Sequence, residues 1–117
     1  VKKAMNGSKV LVLGVAYKQD IDDYRESPAL KVIDVLEREG AEVTFFDPWV
    51  KEYKHNGQTR QSIPALTEDV LKAADLVMIT TAHTNIDYDM VQKNAALIFD
   101  TKNAMKNIAN RENIEVL

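Results

Sequence analysis

Short apolar runs alternate with amphipathic segments along most of this 117-residue chain. The first run covers residues 9–15 and is rich in valine and leucine, with no polar residue after its first position. Such continuity is typical of a strand that is buried on both faces. Strands of this kind, separated by helices, form parallel sheets with helices on each face. The alternation therefore predicts a doubly wound, mainly parallel α/β fold of the Rossmann-like type.

Local signals place the other elements. Ser27 and Pro28 are a good N-cap and a good first helical residue, and Gly40 ends that helix. Thr67 caps a second helix with acidic residues in its first turn. We expect further strands at 42–46, 76–80, 96–99 and 114–116, helices at 28–39, 68–74, 88–93 and 104–109, and a loop with at most a short element at 49–64.

Composition bounds the class of protein. The length suits one hydrophobic core, and a net charge of −3 gives no reason to expect nucleic acid or an anionic membrane as partner. No apolar run approaches the roughly 20 residues that span a bilayer. The chain has no cysteine, which excludes a disulfide, a thiolate metal site and a cysteine nucleophile within it and fits a cytoplasmic protein. Because the chain begins with Val1, we expect this single domain, residues 1–117, to be part of a longer polypeptide.

Ligands of doubly wound folds bind beyond the carboxyl ends of the strands. That rule singles out residues 16–26, 47–49, 81–85 and 100–103. A dinucleotide-binding turn after the first strand would read G-x-G-x-x-G, but only Gly14 is present. The fold is therefore predicted to lack the dinucleotide glycine motif.

Cations in these segments suggest an anionic ligand. Lys18 is a point charge suited to a phosphate or carboxylate, and Arg25 offers a planar fork for bidentate contacts. Tyr17 could stack on a base or a sugar, and Lys102 adds a cation at the same edge. If these cations converge, they suit a diphosphate. The alternative is a solvated loop with local ion pairs, which the pattern favours for the acidic residues at 20, 22, 23 and 26 and leaves open for Lys18 and Arg25.

The other polar residues at this edge have structural interpretations. Asp47 with Pro48 is interpreted as a turn that ends the second strand. His83 is interpreted as part of the loop structure, with the alternative that it faces the site, and His55 as a surface residue. The acidic residues of the first loop lack the glycine and the distal glutamate of an EF-hand. We therefore predict no metal site.

A resemblance gives the pattern a function. Three strings in the first loop resemble the signature that opens the C-terminal domain of UDP-glucose/GDP-mannose dehydrogenases: Val15-Ala16-Tyr17-Lys18, Asp20-Ile21-Asp22-Asp23 and Arg25-Glu26-Ser27-Pro28-Ala29-Leu30. The resemblance continues in order at residues 40–43, 47–48, 74–75, 80–83 and 100–103. The sequences of residues 14–18 and 86–89 are most similar to those of UDP-N-acetylglucosamine 6-dehydrogenases.

The resemblance implies a three-part enzyme. An N-terminal domain holds NAD, a central helix builds a dimer, and the C-terminal domain closes over a UDP-sugar whose C6 alcohol is oxidised to a carboxylate through a cysteine thioester. Tyr17 and Lys18 then correspond to a pair that touches the nucleotide sugar, Arg25 to an arginine that reaches the NAD phosphates, and Lys102 to a substrate contact. The fragment alone is expected to be inactive, because the catalytic cysteine and the NAD motif lie outside it.

Two departures and three alternatives accompany this interpretation. Tyr17 replaces the commoner phenylalanine, and Thr101-Lys102 replaces Gly-Arg, which removes the bidentate fork at that position. The first alternative is a UDP-glucose 6-dehydrogenase domain, and the second is a free-standing, non-catalytic nucleotide-binding module. The third is a domain that has lost its ligand and persists as a packing scaffold.

Overall fold

The computed structural model describes residues 7–16, 20, 23–25, 27–55, 57–84, 86–102, 104–106, 108–109 and 111–116. Its strands are β1 (Lys9–Leu13), β2 (Glu42–Phe46), β3 (Glu52–His55), β4 (Gln58–Gln61), β5 (Leu76–Ile79), β6 (Ile98–Asp100) and β7 (Ile114–Val116). Its helices are α1 (Pro28–Arg38), α2 (Glu68–Ala73) and α3 (Tyr88–Asn94).

Five strands form one parallel sheet in the order β2-β1-β5-β6-β7. Leu13 lies opposite Phe46 of β2 and Ile79 of β5, and Ile79 in turn lies opposite Asp100 of β6. The four strands therefore end level. The residues that follow them start from one common edge, here called the carboxyl edge.

Helices cover both faces of the sheet. Val10 and Val12 pack on one face with Leu30 and Ile33 of α1, while alternate residues of β1 pack on the other face with Leu71 of α2 and Val91 of α3. The predicted doubly wound, mainly parallel fold is confirmed. The Cα radius of gyration, 13.1 Å, matches the roughly 13 Å expected of a single domain of this length.

The helix caps follow the sequence signals. The Ser27 hydroxyl accepts a hydrogen bond from the N–H of Ala29 at 3.3 Å, and Pro28 begins α1. After α1, Gly40 has φ 93° and its N–H bonds to the carbonyl of Glu37. This left-handed backbone turns the chain directly into β2.

The predicted irregular loop at 49–64 is wrong, because it contains the antiparallel hairpin of β3 and β4. Tyr53 of β3 is buried, and its ring packs against those of Phe45 at 5.1 Å and Tyr24 at 5.8 Å. Burial, the dominant cause, raises the pKa of Tyr53 to about 12. Asn56-Gly57 was the overlooked signal, since Asn-Gly between two short runs is typical of a two-residue hairpin turn.

The predicted helix at 104–109 is also wrong for the described residues there, since residues 104–106 form a turn and residues 108–109 are not helical. Side chains take the place of a helical hydrogen-bond ladder. The Asp100 carboxylate accepts the N–H of Ala104 at 3.0 Å and of Met105 at 2.8 Å, and the Arg111 guanidinium donates to the Met105 carbonyl at 2.7 Å. Smaller shifts occur at strand ends, where β1 stops at Leu13 and β6 begins at Ile98.

Candidate functional site

The carboxyl edge has a switch point between β1 and β5. The chain leaves β1 towards α1 on one face, whereas the helices next to β5, α2 and α3, lie on the other face. Ligands of doubly wound folds bind where two such connections diverge. The segments that follow β1 and β5 therefore form the candidate site, with the segment after β2 beside them.

Gly14 lets the first two of these segments touch. Its φ is 87°, and a Cβ at this position would lie 2.4 Å from Cβ and 2.8 Å from the carbonyl oxygen of Thr81. The Thr80 hydroxyl bonds to the Gly14 carbonyl, and the Thr81 hydroxyl bonds to the Ala16 carbonyl at 2.8 Å. Gly14 thus serves a close contact between two loops.

Asp47, which directly follows β2, is the centre of the edge. Its side chain is buried, with an exposed fraction of 2% for the residue. Its Oδ2 accepts hydrogen bonds from Val15 N–H at 2.8 Å, Ala16 N–H at 3.2 Å and His83 Nε2 at 2.9 Å, and its Oδ1 from Trp49 N–H at 2.7 Å and Val50 N–H at 3.0 Å. Burial by itself would raise the pKa of Asp47, but the hydrogen bonds from His83, Val15 and Trp49 outweigh burial and hold the pKa below its ordinary value.

The predicted turn at Asp47 is confirmed by its bonds to the two residues after Pro48. The same carboxylate also anchors the loop after β1, which the sequence interpretation did not include. This second role places a buried negative charge between three loops.

His83 links Asp47 to the first loop. The ring has no exposed surface, and its Nδ1 lies 2.7 Å from the backbone nitrogen of Asp20. Because that N–H can only donate, Nδ1 must accept, so the proton is on Nε2 and is donated to Asp47. The hydroxyl of Tyr88 donates to the His83 carbonyl at 2.8 Å, and burial, aided by the charges of Asp100 and Asp20, raises the Tyr88 pKa well above its ordinary value. His83 is therefore part of the loop structure, as predicted.

Asp20 completes this chain of hydrogen bonds. Its φ is 59°, a left-handed backbone that is uncommon outside glycine. Its carboxylate accepts the N–H and the hydroxyl of Thr84, both at 2.8 Å. The Thr84 backbone N–H is the main reason that the Asp20 pKa lies below its usual value. The expected local role is thus wrong for Asp20, whose partner is 64 residues away.

Asp23 has the local role that the sequence suggested. Its Oδ1 accepts the backbone N–H of Arg25 at 3.0 Å and the guanidinium Nε at 3.2 Å. The side-chain hydrogen bond from Arg25 is the main cause that lowers the Asp23 pKa. The Arg25 side chain is 83% exposed, so its guanidinium remains open to solvent.

Lys102 follows β6 at the same edge and is exposed. Its N–H bonds to Asp100 at 3.0 Å, and Asp100 itself is fully buried and occupied by backbone donors. Tyr17 and Lys18 lie outside the described residues. Their described neighbours, Ala16 and Asp20, lie in the hydrogen-bond network around Asp47.

The described part of the chain limits other kinds of site. Within it, no group of three or more histidine, aspartate or glutamate side chains is placed to hold a metal ion. The helices in that same part have 11, 6 and 7 residues, and none of them has the length and apolar character needed to cross a membrane.

The fold and this edge define a Rossmann-like α/β domain whose ligand side lies at a switch point and lacks the dinucleotide glycine motif. Residues 11–107 match the family described as UDP-glucose/GDP-mannose dehydrogenase family, UDP binding domain. The chain belongs to this family, and the matched region is its UDP-binding domain.

Individual relatives agree with the family. The chain is 36% identical to the UDP-N-acetyl-D-mannosamine dehydrogenase of Methanocaldococcus jannaschii in an alignment 112 residues long, which covers 89% of this chain and 24% of that protein. It is 48% identical to the UDP-glucose 6-dehydrogenase of Rhizobium meliloti over 44 residues, 38% of this chain and 10% of that protein. The solved structure of the Pyrococcus horikoshii UDP-D-ManNAc dehydrogenase superposes with a TM-score of 0.74 and 28% identity, covering 97% of this chain and 26% of that one.

The chain thus spans about a quarter of the length of relatives that match nearly all of it. These relatives are named as dehydrogenases of UDP-N-acetyl-D-mannosamine or UDP-glucose, and not as the UDP-N-acetylglucosamine 6-dehydrogenases that the sequence of residues 14–18 resembles.

Proposed function

We propose that this chain, residues 1–117, is the UDP-sugar-binding domain of a larger NAD-dependent nucleotide-sugar dehydrogenase, and that it binds the nucleotide sugar at its carboxyl edge. In this proposal Tyr17, Lys18 and Lys102 contact the UDP-sugar, and Arg25 reaches the phosphates of NAD held by another domain. The domain contributes binding and orientation, and no catalytic residue of its own.

The family match carries this proposal. It begins in β1, ends at residue 107 and so includes all four segments at the carboxyl edge. The exposed guanidinium of Arg25 and the exposed Lys102 are the cations among the described residues of those segments. Both suit phosphate groups, which arginine forks and lysine charges bind.

The first turn does not fit a dinucleotide. A glycine turn that binds a pyrophosphate leaves backbone room for it, but the Cβ side of Gly14 is filled by Thr81. We therefore assign the main NAD site to another part of the proposed parent enzyme and derive no hydride step from this chain. NAD itself would supply the oxidising chemistry there.

The binding half of the proposal can be tested on the chain itself. Trp49 is the single tryptophan, is 45% exposed and lies next to Asp47, so its fluorescence should report ligand at the carboxyl edge. We expect UDP to change this fluorescence until binding saturates. We expect Lys18→Ala to raise the Kd for UDP about tenfold or more, because the loss of one charged hydrogen bond weakens binding by about that factor. The matched control is Lys93→Ala, because Lys93 lies in the last turn of α3 at the opposite edge.

Three results would contradict it. Equal UDP affinity in the two lysine variants would remove Lys18 from the site. A gene whose coding sequence starts at Val1, with no further domain encoded upstream, would favour the free-standing nucleotide-binding module. Retained UDP binding without NADH production by the complete polypeptide would favour the same non-catalytic alternative.

The sugar is a separate question for the complete polypeptide. The relatives that match most of the chain favour UDP-N-acetyl-D-mannosamine. The sequence of residues 14–18 favours UDP-N-acetylglucosamine, and the shorter Rhizobium match leaves UDP-glucose as the alternative. NADH production compared across the three UDP-sugars decides among them. Equal inactivity on all three would refute the dehydrogenase proposal.

A further inference from the structure

The interval between Ala16 and Asp20 is fixed at both ends by one buried pair. At the first end, the N–H of Ala16 bonds to Asp47 Oδ2 at 3.2 Å, and the Ala16 carbonyl accepts the hydroxyls of Ser27 and Thr81. At the second end, the N–H of Asp20 bonds to His83, whose other nitrogen bonds to the same Oδ2.

The second end has an additional anchor. The Asp20 carboxylate holds the Thr84 backbone and hydroxyl, so the loop after β1 is bonded to the loop after β5 at both its backbone and its side chain. The left-handed φ of Asp20 shows that this backbone is held in an uncommon conformation. Four hydrogen bonds therefore relate the position of Asp20 to that of Asp47.

We propose that Asp47 and His83 form a positioning element for the first loop at Ala16 and Asp20, the described residues on either side of the two, Tyr17 and Lys18, to which UDP-sugar contact is assigned. The inference rests on the proposed function. The buried pair does not touch the ligand. It holds the backbone of Ala16 and of Asp20 relative to each other.

The two ring nitrogens of His83 allow this role to be separated from simple packing. Nε2 serves Asp47 and Nδ1 serves Asp20. In His83→Gln the amide nitrogen reaches the place of Nε2, so the bond to Asp47 is kept and the acceptor for Asp20 is lost. In His83→Asn the amide oxygen takes the place of Nδ1, so the acceptor for Asp20 is kept and the donor to Asp47 is lost.

The first readout is independent of any ligand. We expect amide hydrogen exchange at Asp20 to rise about five- to tenfold in His83→Gln, as the loss of one hydrogen bond implies, and to stay near wild type in His83→Asn. His55→Gln is the matched control, since His55 is half-buried, bonds to Asp34 at 3.0 Å and lies in the hairpin.

The second readout is the affinity for UDP, measured by Trp49 fluorescence and calorimetry. His83→Gln should weaken UDP about five- to tenfold, whereas His83→Asn should lower thermal stability more than affinity. Thr84→Val provides a second route if a His83 variant fails to fold. It removes only an exposed hydroxyl from Asp20, and it should raise Asp20 exchange and weaken UDP in the same direction.

The outcomes separate this inference from the proposed function. Unchanged Asp20 exchange and unchanged UDP affinity in His83→Gln and Thr84→Val would overturn it. Equal losses of affinity in His83→Gln and His83→Asn would also overturn it, because packing alone would then account for them. If wild-type protein fails to bind UDP while Asp20 exchange rises in His83→Gln and Thr84→Val but not in His83→Asn, the anchor stands and the proposed binding of UDP by this chain alone fails.

Discussion

Replacement of Asp47 by asparagine tests the central carboxylate directly. An asparagine side chain has one acceptor oxygen and an NH2 group that can only donate. If its oxygen serves the two donors on Oδ1, the NH2 group faces the three donors on Oδ2, and the reverse orientation leaves two donors unserved. His83 cannot resolve this by moving its proton to Nδ1, because Nδ1 would then face the N–H of Asp20.

The magnitude follows from the number of groups left without a partner. At least two buried N–H groups lose their acceptor, at about 1–3 kcal/mol each. We therefore expect Asp47→Asn to lower the free energy of unfolding by about 2–6 kcal/mol, a large share of the 5–15 kcal/mol typical of a domain. Urea unfolding followed by far-UV circular dichroism measures this difference.

Asp87→Asn is the matched control for this experiment. Asp87 caps α3 through a bond to the N–H of Met90, and asparagine is an equally good N-cap, so the control should change stability by less than about 0.5 kcal/mol. A loss below about 1 kcal/mol for Asp47→Asn would show that the five donors do not depend on a carboxylate. The reasoning about the site's centre would then fail.

The same experiment has a pH dependence with a defined sign. The Asp47 pKa is lowered in the folded state, so its contribution is full above the unfolded value of about 4 and is lost as the pH falls below it. The stability difference between wild type and Asp47→Asn should therefore shrink below about pH 4. A difference that stays constant down to pH 2.5 would contradict the lowered pKa.

Two further substitutions test the packing of the edge. Gly14→Ala should lower the free energy of unfolding by at least about 2 kcal/mol, because an alanine in this left-handed conformation would also overlap Thr81. Gly57→Ala, with φ 76° and open space around it, should show only the backbone cost of about 1 kcal/mol. Equal losses of stability in urea unfolding would disprove the close contact. Ser27→Ala should lower the free energy of unfolding by about 1 kcal/mol in the same measurement, because the Ser27 hydroxyl caps α1 at Ala29. An unchanged free energy of unfolding would disprove the cap.

The sequence predicted the sheet and the principal helices because their signals are local. The valine and leucine run of β1, the Ser27-Pro28 cap and Gly40 each act within a few residues of themselves. The hairpin was missed because its strands are polar and short, and only Tyr53 packs deeply. The chain after β6 was mistaken for a helix because the Asp100 carboxylate, which replaces the helical bonds, acts through the folded backbone.

The candidate site was only partly predictable from sequence. The rule for doubly wound folds singled out the carboxyl edge, and Asp47 and His83 were both noted at the ends of strands. Their pairing was not deducible, since it depends on β2 and β5 lying on either side of β1 with level ends. The long-range bond between Asp20 and Thr84 had no sequence signal at all, because an acidic loop next to Arg25 is typical of local ion pairs.

The order of the strands also limits when the carboxyl edge can assemble during synthesis. Strands β1 and β2, with α1 between them, occupy the first 46 residues and can pair as soon as they leave the ribosome. Asp47 then has the N–H groups of Val15, Ala16, Trp49 and Val50 within the same part of the chain, but its bond to His83, 36 residues later, requires β5 to have docked beside β1. The bond from Thr84 to Asp20, between residues 64 apart, forms at the same stage. The edge proposed to bind UDP is therefore completed after the first pair of strands, and a nascent chain that ends before residue 83 would hold a β1–α1–β2 unit without it.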